Sequence, residues 1–239
     1  GATLTFLGDL SGTGDLLKTG DGILTIAGTN TLDGSVVIGG GKVIDETGAF
    51  FDNPDAVIGV TNNATLEFTT SANVSSAISF VGDGHIGVSP DSVVVNATGK
   101  ISGDGNFTKT GPGTLVLANS ENDYTGATLL EEGTLRLGAD DATGSGPMHI
   151  SAGSIFDLDG YTTTIGPLSG EAGASILLGD GTLTVNQDTD TTYAGEIAGP
   201  GSFAKDGSGN LTLSSDLSGL SDLAIDAGAI ALGADQMAP

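Results

Sequence analysis

The sequence predicts an all-β chain wound as a parallel β-helix, and three observations carry that expectation. Apolar residues recur as short Leu-x-Leu triplets, Gly, Asn, Asp and Thr interrupt them every few residues, and a longer pattern returns three times within 239 residues. Each observation has a physical reading of its own.

The triplets are Leu24-Thr25-Ile26, Leu115-Val116-Leu117, Leu135-Arg136-Leu137, Leu183-Thr184-Val185 and Leu211-Thr212-Leu213. Alternation of apolar and small polar residues buries one face of a strand and wets the other, so Leu115 and Leu117 are expected to point inward. The strands are too short for ordinary hairpin sheets. The 41 Gly residues supply the backbone freedom that frequent tight corners demand. No stretch shows apolar residues at helical spacing, and little or no helix is expected.

Aromatic residues make up only 5 % of the chain and Trp is absent, which suits a narrow column of stacked Leu, Ile and Val. Coils of roughly 20 to 25 residues give about 10 coils, each rising ~4.8 Å, hence a rod about 50 Å long. A β-sandwich is the competing architecture. A propeller fits less well because its blades repeat every ~40 to 50 residues.

The long-range pattern is [LI]-x-G-x-G-x-[LF]-x-K-x-G-x-G-x-L-x-[LI], running from Leu10 to Ile26, from Ile101 to Leu117 and from Ile197 to Leu213. It places Lys18, Lys109 and Lys205 at equivalent points, each between Gly corners where an ammonium can satisfy carbonyls or a neighbouring Asp. Upstream, the segments leading into Leu10, Ile101 and Ile197 align. Downstream, Asn30 to Gly41 answers Asn122 to Gly133, and Ser221 to Gly228 answers more loosely. The chain therefore reads as one β-helical segment, 1–239, with units at about 1–96, 97–192 and a truncated 193–239.

Composition removes several functions. Thirty Asp and Glu against six Lys and Arg give a formal net charge of -24, which repels phosphates and makes nucleic acid and anionic lipid poor partners. Absence of Cys excludes disulfides, thiol catalysis and thiolate metal sites. No apolar run approaches the ~20 residues of a membrane helix. The chain starts at Gly1 without an initiator Met and is read as a piece of something longer, with any targeting segment outside it.

With these residues in view, the chain resembles the autotransporter-associated β-strand repeat. The middle unit carries the likeness best, with Lys109 to Leu117, then Asn122-Asp123-Tyr124-Thr125-Gly126, then Gly133 to Gly138. The first unit departs by placing Leu32 where the Tyr is expected, and the third by losing the N-x-Y-x-G turn over Asp216 to Ser221. The resemblance implies a right-handed parallel β-helix from an autotransporter passenger, exported to the surface of a Gram-negative bacterium. It also implies a C-terminal outer-membrane barrel in the full-length protein, and no set of barrel strands is recognisable within this chain. Passengers of this kind serve adhesion or self-association, with a host-cell surface, extracellular matrix or another copy as partner, and some carry inserted proteolytic or lipolytic domains.

Candidate chemistry is sparse. His85 and His149 stand at unrelated phases of the repeat and read as surface or corner residues. Gly82 to Gly87 satisfies G-x-G-x-x-G, but a strand-like run follows where a dinucleotide site needs a helix. Asp188 with Asp190, Asp140 with Asp141, Glu131 with Glu132 and Asp52 with Asp55 offer hard oxygen ligands suited to Ca²⁺, yet solvated acidic corners account for them. Thr3-x-Thr5 and Thr182-x-Thr184 are too scattered for a flat threonine ladder. No catalytic, cofactor or metal site is assigned, and no cofactor is expected. The expected role is a non-enzymatic surface stalk or adhesin, and the alternative is a polysaccharide-binding or polysaccharide-cleaving β-helix, for which one Arg and five Lys are a thin supply of bases and clamps.

Overall fold

A computed structural model describes residues 1–28, 30–214, 217 and 219–233, without the side chains of Asn30 and Thr31. The chain is a β-solenoid of about 11 turns in which every strand pairing is parallel, and no helix occurs among the described residues. A twelve-stranded sheet, from Thr3–Phe6 to Ala229–Leu232, runs along its whole length.

After each strand of that long sheet the chain passes through up to two further strand positions. The second position is a two-stranded sheet beginning with Leu10–Gly12, and further along a seven-stranded sheet from Ala72–Val74 to Glu196–Ala198. The third is a five-stranded sheet from Leu16–Lys18 to Ile101–Gly103, followed by a four-stranded sheet from Thr163–Ile165 to Asp222–Ile225. Register partners on successive coils lie 19 to 23 residues apart, as Ile23 against Lys42 and Lys42 against Thr65 illustrate.

Alternation within strands builds the core as expected. Leu115 and Leu117 are buried while Thr114 and Val116 are partly exposed. Stacking in register then turns single residues into columns, one of which reads Val95, Leu115, Leu135, Phe156, Ile176, Ile197. The few aromatic rings are concentrated inside the column. Phe80 stacks on Phe107 at 5.3 Å, and Phe107 meets Tyr124 edge-on at 5.9 Å. Where a ring projects far across the core, the facing coil supplies a residue without a side chain: Gly170 is the register partner of Tyr193.

One excursion interrupts the second strand position, between Lys42–Asp45 and Val57–Thr61. Asp45, fully buried, holds it by accepting hydrogen bonds from the N–H groups of Thr47, Gly48 and Phe50 and from the Thr47 hydroxyl, at 2.7 to 3.2 Å. A buried carboxylate is tolerated when its lone pairs are used in this way. The excursion returns Phe50 and Phe51 to the core, where Phe51 packs edge-on against Phe68.

Candidate functional site

The three repeated lysines occupy inward positions that neighbouring coils give to aliphatic residues. Lys109 lies between Ile86 and Leu130 in its column, and Lys205 between Val185 and Ile225. Both are fully buried, and Lys18, on the first coil, is half-buried. An ammonium there needs acceptors, and the Gly corner provides them. Lys109 Nζ donates to the carbonyls of Thr110 (3.0 Å) and Gly111 (2.6 Å) and to that of Glu132 on the next coil (3.0 Å).

Lys18 repeats the arrangement with Thr19, Gly20 and Gly40, and Lys205 with Asp206, Gly207 and Ala227. Gly111 and Gly207 have φ of 75° and 79°, the left-handed backbone that turns their carbonyls back toward the ammonium and that Gly adopts without strain. Burial pushes the Lys109 ammonium down to about 8, opposed by the negative charge of Glu132. The lysines are thus cross-ties between coils, as their spacing between Gly corners suggested.

The three cradles do not share a face. Lys18 and Lys205 stand at the third strand position, Lys109 in the long sheet. The repeated pattern is therefore a local, one-coil device that works on different sides of the solenoid.

The remaining cations are Lys42, paired with Glu67, Lys100 with Asp123 (2.6 Å) and Arg136 with Asp157 (2.8 Å). All six Lys and Arg are thus engaged in carbonyl cradles or ion pairs. Three of the paired acids are drawn into inter-coil bonds as well. Asp188 accepts from the N–H and hydroxyl of Ser208, Asp190 from the N–H of Asn210, and Asp140 from the N–H of Thr162. Those Ser208 bonds hold the Asp188 carboxyl below the usual range. The Glu132 backbone serves Lys109, while Asp52 is exposed and the Asp55 N–H donates to Asn53. No group of three or more His, Cys, Asp or Glu suited to a metal ion occurs among the described residues.

The histidines are closer in kind than the repeat phase implied. His85, Thr108, Leu129 and His149 are successive register partners in the outward row of the long sheet. Three coils at ~4.8 Å separate the two rings by roughly 14 Å. Each is half-buried on a strand rather than at a corner, His85 bonded to Asn63 (2.8 Å) and His149 to Ser169 (2.9 Å). Gly82 to Gly87 forms a corner and enters the strand Gly84–Val88, so its backbone offers no helix terminus to a phosphate.

Two polar residues do more than their sequence context signalled. Gln187, buried, accepts from the N–H of Leu168 and the Thr191 hydroxyl and donates to the carbonyls of Thr189 and Asn210. Asn122, in the N-x-Y-x-G turn, accepts from the N–H of Ile101 (2.7 Å) and donates to the carbonyl of Ala142 (2.7 Å), spanning three coils. Beside it the Tyr124 hydroxyl meets Thr128 at 3.0 Å, and burial pushes the phenols of Tyr124 and Tyr193 up. The stretch from Asp216 to Ser221, where the third unit loses this turn, lies in part outside the described residues. A cavity of about 480 Å³ beside the first coil is lined mainly by apolar residues, among them Leu4, Phe6, Leu10 and Leu16.

Comparison with known proteins agrees with this geometry. The passenger-associated-transport-repeat family matches residues 16–44 and 107–137, two windows that each open on the strand bearing a cradle lysine. The chain is 41 % identical over 123 residues to an adhesin, the BmaC autotransporter of Brucella suis biovar 1 (strain 1330), covering 49 % of this chain and 4 % of that protein. It is 42 % identical over 67 residues to the uncharacterized lipoprotein YdeK of Escherichia coli (strain K12), covering 28 % of this chain and 5 % of that one. The chain thus spans about a twentieth of the length of these relatives, and no solved structure matches it. Lysine-tied coils within two windows that match this repeat family, in a parallel solenoid whose sequence is in part similar to an autotransporter adhesin, support an autotransporter passenger with these repeats.

Proposed function

We propose that this segment is displayed on the surface of a Gram-negative bacterium, exported across the outer membrane with the help of a C-terminal barrel elsewhere in the full-length protein. There it works by contact, as an adhesive or self-associating stalk, and not by catalysis. The observation that carries this reading is the use of its charged groups. All six cations are taken up in carbonyl cradles or ion pairs, and Asp140, Asp188 and Asp190 hold one coil to the next. What remains for function is a rod walled by long parallel sheets, with a strongly negative field.

The three repeat units, about 1–96, 97–192 and 193–239, serve in this reading as one continuous contact segment with no separate catalytic part. The test is adhesion of beads coated with the 239-residue chain to cultured epithelial cells and to extracellular-matrix protein, alongside sedimentation velocity of the free chain. Two copies at -24 repel one another, so self-association rises as salt screens them, whereas adhesion to a cationic partner falls. Beads that bind neither surface, with a chain that stays monomeric at all salt concentrations, would overturn the proposal. Release of reducing ends from an acidic polysaccharide would replace it by the polysaccharide reading.

A further inference from the structure

The five-stranded sheet is distinguished by what its outward side lacks. Its strands are Leu16–Lys18, Val36–Ile38, Val57–Thr61, Ala77–Val81 and Ile101–Gly103. Their one charged residue, Lys18, turns inward to its carbonyls. The outward row runs Leu17, Val37, Gly59, Ser79, Ser102, flanked by Val57 and Val81. In a chain carrying 30 acids, four aliphatic side chains are left in water on this face: Leu17 at 65 %, Val37 at 36 %, Val57 at 43 % and Val81 at 58 % exposure.

Acids border it on both sides. Exposed Asp15, Asp33 and Asp55 precede the first three strands, and exposed Asp21, Asp83 and Asp104 follow the first, fourth and fifth. Lys100, at the entry to the last strand, is paired with Asp123. Five strands at ~4.8 Å and about 3.3 Å per residue give this face roughly 300 to 400 Å². That area suits a peptide-sized partner and falls short of the ~800 Å² per partner of a standard stable interface.

We propose that this face docks a cationic amphipathic polypeptide segment. Its apolar side lies across Leu17, Val37, Val57 and Val81, and its Lys or Arg side chains reach the two aspartate borders. Aliphatic side chains left exposed on one uncharged face with an acidic rim are suited to contact with a partner, and the sign of the rim selects that partner. A second copy of this chain would bring aspartates against aspartates. Acidic phosphate or lipid would meet the same repulsion, while the negative field of the whole rod steers a cationic segment inward. The proposal rests on the adhesive reading and gives its partner a chemistry.

The test is fluorescence anisotropy with a labelled Lys/Leu peptide whose leucines segregate at helical spacing, against a scrambled peptide of identical composition. The segregated peptide is expected to bind the intact chain roughly fivefold or more tightly than the scrambled one. Replacing Val37→Ser together with Val81→Ser, which leaves the charge unchanged and is expected to leave the melting curve within about a degree or two of the parent's because both side chains are exposed, is expected to remove that advantage. Raising NaCl from ~10 to ~500 mM is expected to weaken binding.

Equal binding of the two peptides, or binding unaffected by the double substitution, reduces the effect to bulk charge and overturns the proposal. So does a chain whose own association at high salt vanishes with V37S/V81S while its peptide binding persists, since the face then belongs to a second copy. Beads that adhere equally well with and without the double substitution refute the docking face and leave the adhesive reading intact. Beads that never adhere, although the peptide results hold, refute the adhesive reading alone.

Discussion

The ammonium of Lys109 lies 3.0 Å from the carbonyl oxygen of Glu132, one coil further along the chain, at a column position whose neighbours are Ile86 and Leu130. A cation therefore occupies an aliphatic slot, and its stability depends on the corner that receives it. The cradle joins two coils through three backbone acceptors and needs no acidic partner.

Lys109→Met keeps the length and apolar stem of the side chain and removes the donor. Loss of a partner costs about 1–3 kcal/mol for each buried carbonyl left without one. Removal of the buried charge returns on the order of 3 kcal/mol. The net expectation is a loss of about 3 kcal/mol at pH 7, read from urea melts. Lys18→Met, on the half-buried first coil, is expected to cost under about 1 kcal/mol. A variant at Lys109 as stable as the parent would mean that the carbonyls are satisfied without it.

The same lysine sets an alkaline pH dependence. Its pKa falls from 10.5 to about 8 on folding, so between those values the unfolded chain holds a proton that the folded chain has released. Stability then rises with pH through that window, by on the order of 3 kcal/mol if the shift is fully expressed. Tyr124 and Tyr193 act oppositely above pH 10, because their folded pKa values are raised and the unfolded phenols ionise first. The stability difference between the parent and Lys109→Met should therefore widen from pH 8 to 10.5, while both chains lose stability above about pH 10. A difference that stays constant across the window would show that Lys109 keeps its proton in the fold.

Gly170 and Tyr193 test column packing. A methyl group on Gly170 would sit 2.7 Å from the Tyr193 ring and 3.0 Å from the Ile150 carbonyl, closer than either contact allows. Gly170→Ala is expected to cost about 1–3 kcal/mol through overpacking. Combined with Tyr193→Leu, which withdraws the ring, the penalty should shrink, giving a coupling of about 1 kcal/mol or more in a double-mutant cycle. Additive effects would show that the clash is absorbed elsewhere.

Much of this architecture was legible because strand alternation and corner chemistry are local. Leu115 and Leu117 announced their burial by spacing, and the Gly residues around Lys109 announced its acceptors. What depends on coil count was hidden. The repeats of the lysine pattern, from Lys18 to Lys109 and on to Lys205, do not span a whole number of coils. Consequently Lys109 changes face, and His85 and His149 meet in one outward row. Coil length itself varies because corners such as the Asp45-held excursion lengthen single turns. The buried bonding of Gln187 follows from three-dimensional stacking and left no pattern in its neighbours. The uncharged face of the five-stranded sheet also emerges only when residues about 20 apart are set side by side.

Inside and outside positions on one strand should respond very unequally to the same charge. Leu115 is 1 % exposed and stacks between Val95 and Leu135, whereas Thr114, next to it, faces outward and is partly exposed. Leu115→Asp places a carboxylate among aliphatic side chains with no donor provided for it. It is expected to cost several kcal/mol, on the order of 4. Thr114→Asp leaves the charge in water and should cost under ~0.5 kcal/mol, with a small further penalty at low ionic strength from the molecule's negative field. Because each coil rests on its neighbours, the Leu115 variant should also lower protection from hydrogen exchange in the flanking strands Val94–Ala97 and Thr134–Leu137 before distant coils are affected. Equal destabilisation by the two substitutions would reverse the assignment of faces, and loss of protection along the whole rod at once would show that the solenoid unfolds as a single unit.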